Sequence, residues 1–207
     1  MASTVLLTPD YAAPEQMRGD PITIYGEGRQ IPAPESHPVA PEAPYGLSKF
    51  CAEQYCLLFT RLHGLSTVSL RYGNVYGPRQ DPLGEAGVVA IFCGKLLDGE
   101  RPTIFGDGLQ TRDYVYVGDV VDANLKAAAT QTSGAVNIGY GDEVSVLDIV
   151  DVLKAHSNGA FEPEHAPERP GEVRRIALDT SRAKQELGWQ AGTGLEDGLE
   201  RTLASLR

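Results

Sequence analysis

The chain is poor in the residues that build disulfide-linked, zinc-bound and membrane-spanning proteins. It has three cysteines in 207 residues, an odd number without metal-ligand spacing. This favours free thiols in a reducing cytoplasm over a disulfide or metal scaffold. The longest uninterrupted apolar run, residues 88–93, is far shorter than the roughly 20 residues that span a bilayer. The first residues also lack the basic-then-apolar pattern of a signal peptide.

Positive charge is scarce as well. Lysine and arginine total 18 against 28 acidic residues, which gives a formal net charge of −10. This balance argues against nucleic acid or an anionic membrane as the main partner. Hydrophobic residues make up 42% of the chain, and a chain of this size can bury roughly 70% of its unfolded surface. We therefore expect a soluble globular protein of one or two domains.

Proline and the periodicity of apolar residues divide the chain. Eight of the 14 prolines fall in the first 44 residues, which predicts extended or looped structure there. From residue 45 onward, helical and strand patterns alternate, which indicates an α/β chain. Helices are predicted at residues 45–63, 87–98, 119–130, 145–156, 181–187 and 195–206. Strands are predicted at residues 66–72, 103–105, 114–117, 135–138 and 173–178, with loops at 74–84 and in the charge-rich segment 162–172.

One pair of residues has the spacing of a proton-transfer site. Tyr45 and Lys49 are four apart on a predicted helix and therefore lie on the same face. A tyrosine hydroxyl ordinarily has a pKa near 10, too high for a base at neutral pH. A neighbouring ammonium favours the phenolate and lowers that pKa. The spacing alone is a weak signal, because nine tyrosines offer chance matches.

The motifs around this pair make the signal specific. They are Tyr-Gly-Leu-Ser-Lys at 45–49, Arg-Tyr-Gly-Asn-Val-Tyr-Gly-Pro at 71–78, Phe-Gly-Asp-Gly at 105–108, Arg-Asp-Tyr-Val-Tyr-Val at 112–117 and Arg-Pro-Gly-Glu at 169–172. In this order and spacing they resemble the extended short-chain dehydrogenase/reductase family of nucleotide-sugar enzymes. The likeness is strongest to its NAD-dependent UDP-glucose 4-epimerases, which also show Tyr-Gly-Glu-Gly, here at 25–28. It runs from about residue 24 to the C-terminus.

The resemblance implies a fold and a set of site residues. The fold would be an incomplete Rossmann-like parallel sheet with a smaller C-terminal substrate-binding domain. Tyr45 would take the proton from the sugar 4-hydroxyl, and Lys49 would hold the nicotinamide ribose of NAD. The implied binding residues are Tyr72 along NAD, Asn74, Arg112 and Arg169 at the diphosphate, Phe105 against uracil and Glu172 at a ribose hydroxyl. Arginine suits a diphosphate because its guanidinium forms paired hydrogen bonds.

The chain departs from the family in its first part. No Gly-x-Gly-x-x-Gly or Gly-x-x-Gly-x-x-Gly turn, which would hold the NAD pyrophosphate, occurs in the 207 residues. The family places a serine or threonine four or five residues before the equivalent of Tyr25, where this chain has Pro21 and Asp20. Residues 8–23 instead resemble the end of a protein-kinase activation segment, but the other kinase motifs are missing, so we reject kinase activity.

These departures set our expectations for organisation and function. Residues 1–23 are expected to be a foreign or rearranged leader, residues 24–86 a partial dinucleotide-binding portion and residues 87–207 mainly the nucleotide-sugar-binding region. The resemblance implies a UDP-sugar 4-epimerase with little activity in this chain alone. Alternatives are a UDP-sugar-binding module without turnover, a remnant without a ligand, and a dehydratase, decarboxylase or UDP-uronate epimerase. An unpaired edge of strand 66–72 would favour homodimers or other self-association.

Overall fold

The structure is a computed structural model of the chain. It describes residues 24–26, 29–42, 44–80, 87–157, 161–169 and 173–207. The expected leader, residues 1–23, lies outside the described residues. The described part of the proline-rich segment up to residue 42 is irregular, as the prolines predict, with a single bridge from Ala33 to Leu178.

In the described ranges, six helical segments alternate with the strands. They are α1 (Pro44–His63), α2 (Val88–Asp98), α3 (Val117–Ala128), α4 (Val146–Ala155), a π-helical turn (Ala183–Leu187) and α5 (Leu195–Leu206). Helix α4 begins with a capping box, in which the Ser145 hydroxyl accepts from the Asp148 N–H and the Asp148 carboxylate accepts from the Ser145 N–H. Helix α2 ends at Gly99, whose left-handed conformation allows its N–H to bond the last carbonyls.

Eight short strands form four pairs in the described part of the chain. They are β1 (Val68–Tyr72), β2 (Asn74–Tyr76), β3 (Thr103–Phe105), β4 (Thr111–Arg112), β5 (Tyr114–Tyr116), β6 (Gly134–Ile138), β7 (Val144–Ser145) and β8 (Glu164–Ala166). Strand β1 pairs with β6, β2 with β5 and β3 with β8, all in parallel, while β4 and β7 are antiparallel. The fold is therefore mixed α/β with parallel strand pairs, as predicted.

Four local expectations differ from the structure. Residues 74–76 form β2 instead of a loop, because they pair with β5 far along the chain. Residues 164–166 form β8, within a segment that the charges suggested was a solvated loop, because they pair with β3. Residues 173–178 alternate like a strand but form only the bridge at Leu178. The helix predicted at 181–187 is a short helical start followed by the π-helical turn.

Two main cores hold these elements together. The larger core packs α2, α4 and α5 against β2, β3 and β5, and it includes Phe92, Ile104 and Leu199. The second core lies between β6, α3 and the π-helical turn and is centred on Trp189, which is 1% exposed. The Trp189 indole N–H donates to the backbone oxygen of Asp119 at 2.9 Å, so its one polar atom is satisfied.

Candidate active site

Helix α1 presents the tyrosine–lysine pair in its first turns. The Lys49 Nζ lies 4.9 Å from the centroid of the Tyr45 ring, within the range of a cation–π contact. Both side chains are partly buried, and the Ser48 hydroxyl donates to the Tyr45 carbonyl oxygen at 2.7 Å. The structure thus brings together the two residues that the four-residue spacing placed on one face. A phenol with a cation this close has the composition required for proton transfer.

A buried polar network holds α1 against the sheet. Glu53, two turns after Tyr45 and one turn after Lys49, accepts two hydrogen bonds from the Arg71 guanidinium of β1, at 2.8 and 2.7 Å. The two side chains are 8% and 10% exposed. Arg71 also donates to the Tyr25 hydroxyl at 2.6 Å, and that hydroxyl donates to Asn137 Oδ1 of β6 at 2.7 Å. Burial raises the pKa of Tyr25 despite the neighbouring guanidinium, which keeps the hydroxyl protonated as a donor.

The end of β1 leads directly to two of the implied binding residues. Tyr72 is 43% exposed, and its hydroxyl donates to Asn124 Oδ1 on α3 at 2.9 Å. Burial raises the pKa of Tyr72 above its ordinary value. Asn74 opens β2, and its backbone N–H donates to the Asp113 carbonyl oxygen at 2.6 Å. Gly73 separates the two, and an added Cβ there would lie 2.6 Å from that same oxygen, so this crossing requires glycine.

Asp113, inside the Arg-Asp-Tyr motif, is an anchor that the sequence did not reveal. It is 1% exposed, and its carboxylate accepts backbone N–H groups from Tyr140 at 2.7 Å, Gly141 at 3.1 Å and Leu178 at 3.0 Å. Burial raises its pKa, while the three N–H groups oppose that rise. Asp113 thereby ties the chain between β4 and β5 to the turn after β6 and to the segment at 178.

Two of the remaining implied residues, Phe105 and Arg169, meet at the end of β3. The Arg169 guanidinium carbon lies 3.8 Å from the centroid of the Phe105 ring, a close cation–π contact between residues 64 positions apart in sequence. Arg112, on β4, is partly buried and donates to the Thr111 carbonyl oxygen at 2.8 Å. Glu172 lies outside the described residues.

Nearby acidic residues neutralise two further arginines. Arg174 makes a bidentate pair with Asp107, at 2.8 and 2.7 Å, and Arg175 makes one with Glu143, at 2.8 and 2.6 Å. Both pairs are exposed, and the hydrogen bond from Arg174 is the main cause that lowers the pKa of Asp107 to about 2. These carboxylates hold Arg174 and Arg175, which are not among the arginines that the resemblance implies for a phosphate.

Comparison with known proteins identifies the fold family. Residues 22–139 match the NAD dependent epimerase/dehydratase family, which is more than half of the chain. The chain belongs to this family. It is 42% identical over 186 residues to the UDP-glucose 4-epimerase of Mycolicibacterium smegmatis, a match that covers 89% of this chain and 59% of that protein.

Solved structures of the NAD dependent epimerase/dehydratase family show the same fold. The UDP-glucose 4-epimerase of Thermotoga maritima with UDP-glucose has a TM-score of 0.87 and 46% identity, covering 91% of this chain and 61% of its own. The Thermus thermophilus UDP-glucose 4-epimerase in complex with NAD has a TM-score of 0.82 and 39% identity, covering 89% and 61%. The extended short-chain dehydrogenase/reductase fold expected from the motifs is confirmed. The chain spans 58–59% of the length of the first curated relatives that it matches.

Two further observations concern metals and membranes. Within the described ranges, no group of three or more His, Cys, Asp and Glu side chains is arranged to hold a metal ion. None of the described helices has the length and apolar character needed to cross a membrane.

Proposed function

We propose that this chain carries the proton-transfer pair and the nucleotide-binding residues of a UDP-sugar 4-epimerase that uses NAD. The observation that carries the proposal is the contact between Lys49 and Tyr45 at 4.9 Å on the first turns of α1. Relatives that are UDP-glucose 4-epimerases support the substrate class. In this proposal, residues 24–86 contribute to the dinucleotide-binding portion and residues 87–207 mainly bind the nucleotide-sugar.

The residues present fit one end of the cofactor. Lys49 and Tyr45 place an ammonium and a hydroxyl side by side, which suits the nicotinamide ribose. Tyr72 is exposed at the end of β1, a strand that α1 contacts. The chemistry that NAD supplies when bound is the uptake and return of hydride at C4 of the sugar. The part of Tyr45 is to take the proton of the 4-hydroxyl, and Lys49 stabilises the resulting negative charge.

In this proposal, the substrate diphosphate lies against Arg112 and Arg169. Arg169 and Arg112 supply forked donors, and Phe105 supplies a flat apolar face beside Arg169. Glu172, which follows Arg169 by three residues in the sequence, is proposed to bond a ribose hydroxyl. A chain with a net charge of −10 needs such local cations to attract an anionic ligand.

The experiment that tests this proposal is calorimetric titration of the 207-residue chain with UDP. Arg169→Ala should weaken UDP binding by about 10-fold or more, because a charge-assisted hydrogen bond contributes about 1.5–3 kcal/mol. The matched control is Arg101→Ala, which removes an exposed arginine that pairs with Glu164 on β8 and should leave the affinity unchanged. Absence of UDP binding to the wild type, or equal effects of both variants, would contradict the proposal.

A binding module without turnover is the second candidate. The contact of Arg169 with Phe105 is independent of helix α1, so these residues could hold a UDP-sugar without the proton-transfer pair. Titration with NAD separates the two functions, since the module binds UDP alone while the epimerase binds both. Other relatives are dTDP-glucose 4,6-dehydratases and UDP-glucuronic acid decarboxylases. If the chain does not convert UDP-galactose, it should therefore be assayed for dehydration of dTDP-glucose and for decarboxylation of UDP-glucuronic acid.

We also propose that the chain self-associates and works in the cytoplasm. Helix α1 exposes four large apolar side chains at roughly helical spacing, Leu47, Tyr55, Phe59 and Leu62, which are 48–66% exposed. A continuous apolar stripe of this kind favours a second copy of the chain as its cover. The three cysteines are free thiols, which suits a reducing compartment. Light scattering after gel filtration would report the dimer, and Leu62→Lys should shift it toward the monomer.

A further inference from the structure

Gln110 has a buried oxygen that no described group satisfies. The residue lies between β3 and β4 and is 7% exposed. Its Nε2 donates to the Phe105 carbonyl oxygen at 3.0 Å. Because a carbonyl can only accept, this bond fixes the amide orientation and leaves Oε1 as a pure acceptor. In the described part of the chain, Oε1 has no hydrogen-bond partner.

Such an oxygen calls for an explanation. Folded proteins pair most of their buried side-chain acceptors, because a buried acceptor without a partner loses its hydration and gains nothing in exchange. The chain could avoid that cost with an apolar residue at position 110. A polar residue held in a fixed orientation, with one end bonded and the other unpaired, is the arrangement expected of a group that receives a ligand.

The surroundings of Gln110 narrow the type of ligand. It lines a small pocket together with Phe105, Gly106, Glu168, Val173 and Arg174. The Phe105 ring beside it is a flat apolar surface, and the Arg169 guanidinium carbon lies 3.8 Å from its centroid. A phosphate offers no donor at neutral pH, so it cannot form a hydrogen bond with Oε1. The ligand group at Oε1 must therefore donate an N–H or O–H, and the neighbouring aromatic ring suits a molecule that also has a flat ring.

We propose that Gln110 is a nucleoside-recognising residue of the substrate site, whose Oε1 accepts a hydrogen bond from the uridine half of the UDP-sugar. The donor is the uracil N3–H or a ribose hydroxyl, the two kinds of donor that the uridine half carries. The inference rests on the proposed function and adds to it a residue that reads the nucleoside. A cytosine base, which has an acceptor at N3, would meet Oε1 unfavourably if the base is the donor.

The test is calorimetric titration of Gln110→Met with UDP. Methionine has nearly the same length but neither donor nor acceptor, so UDP should bind about 10-fold more weakly than to the wild type. The matched control is Gln80→Met, because Gln80 also has a buried oxygen without a described partner but does not line this pocket. UDP affinity should be unchanged in the control, and thermal melting should show that both variants fold.

Two modified nucleotides identify the donor. If it is the base, the penalty of Gln110→Met disappears with 3-methyluridine diphosphate, which lacks the N3–H. If it is the ribose, the penalty disappears with 2′,3′-dideoxyuridine diphosphate. Either result supports the proposal, and an equal penalty with all three nucleotides overturns it. If Gln110→Met does not fold, the wild type alone decides, since equal affinity for the three nucleotides would also overturn the proposal.

The outcomes separate this inference from the function on which it rests. If UDP binds to the wild type and Gln110→Met binds it equally well, the role of Gln110 is refuted and the proposed function stands. If UDP does not bind to the wild type at all, the proposed function is refuted and the inference falls with it.

Discussion

Removal of Glu53 should destabilise the fold more than removal of Glu53 and Arg71 together. In Glu53→Leu, the Arg71 guanidinium stays buried without its carboxylate and keeps only neutral acceptors, the Tyr25 hydroxyl at 2.6 Å and the Glu35 carbonyl oxygen at 3.2 Å. Breaking one side of a buried ion pair costs about 3–5 kcal/mol. Because the two neutral acceptors remain, we expect a value near the lower end, about 3 kcal/mol.

This loss is large compared with the stability of a typical domain, about 5–15 kcal/mol. For a chain of this size it corresponds to a decrease in Tm of about 6–12 °C. The double variant Glu53→Leu/Arg71→Met removes both charges and fills the space with apolar atoms, which is often close to neutral. We therefore expect most of the lost stability to return, with a coupling energy of about 2 kcal/mol between the two positions.

Urea denaturation followed by circular dichroism measures the free energies of unfolding of the wild type, Glu53→Leu, Arg71→Met and the double variant. Glu53→Gln is a useful control, because it keeps hydrogen-bonding atoms at the same place while it removes the negative charge. The free energy of unfolding of Glu53→Gln should lie between the values of the wild type and Glu53→Leu. Additive losses in the double variant, or a Glu53→Leu chain as stable as the wild type, would show that the ion pair does not hold helix α1 in the way the geometry indicates.

Two further predictions concern titration and thiol chemistry. The pKa of Asp107 is about 2 because Arg174 donates to it. The stabilisation of the fold by this ion pair should be complete above the ordinary pKa of about 3.9 and should be lost as the pH falls through about 2. In Arg174→Gln, an NMR titration should show the pKa of Asp107 rising toward its ordinary value. Burial raises the pKa of the Cys93 thiol to about 12. Iodoacetamide at pH 8 should therefore label the exposed Cys51 first and Cys93 only after unfolding. Equal labelling of both thiols in the native chain would contradict the burial of Cys93.

Local signals explain which parts of the fold could be predicted. The start of α1 at Pro44 and the N-cap of α4 at Ser145 depend on residues within one turn of the helix end. The strand at 74–76 depends instead on β5, about 40 residues away, and its Asn and the preceding glycine are typical of turns. The opposite error at 173–178 has the same cause, since alternation cannot show that the segment pairs only through the isolated bridge between Leu178 and Ala33.

The candidate site shows the same division between motif and contact. Tyr45 and Lys49 could be paired from their spacing, because a helix makes that contact local. Gln110 was not predicted, since its significance depends on an oxygen left without a described partner after the fold has formed. Asp113 stood inside a quoted motif, but its three N–H partners come from residues 140, 141 and 178, which no sequence spacing indicates.

These long-range contacts connect the two parts of the proposed site. Arg71 holds Glu53 of α1 and lies three residues before Asn74, so the strand that fixes the tyrosine-bearing helix also leads into β2. Asn74 donates to the Asp113 carbonyl oxygen, and Asp113 follows Arg112 directly. Only two hydrogen-bonded contacts, Arg71–Glu53 at 2.8 Å and Asn74–Asp113 at 2.6 Å, therefore separate α1 from Arg112, the residue proposed to bind the diphosphate. Neither contact includes an exposed loop, so the distance between the Tyr45–Lys49 pair and Arg112 is set by strand register. A shift of that register by one residue would change this distance by about 3.3 Å.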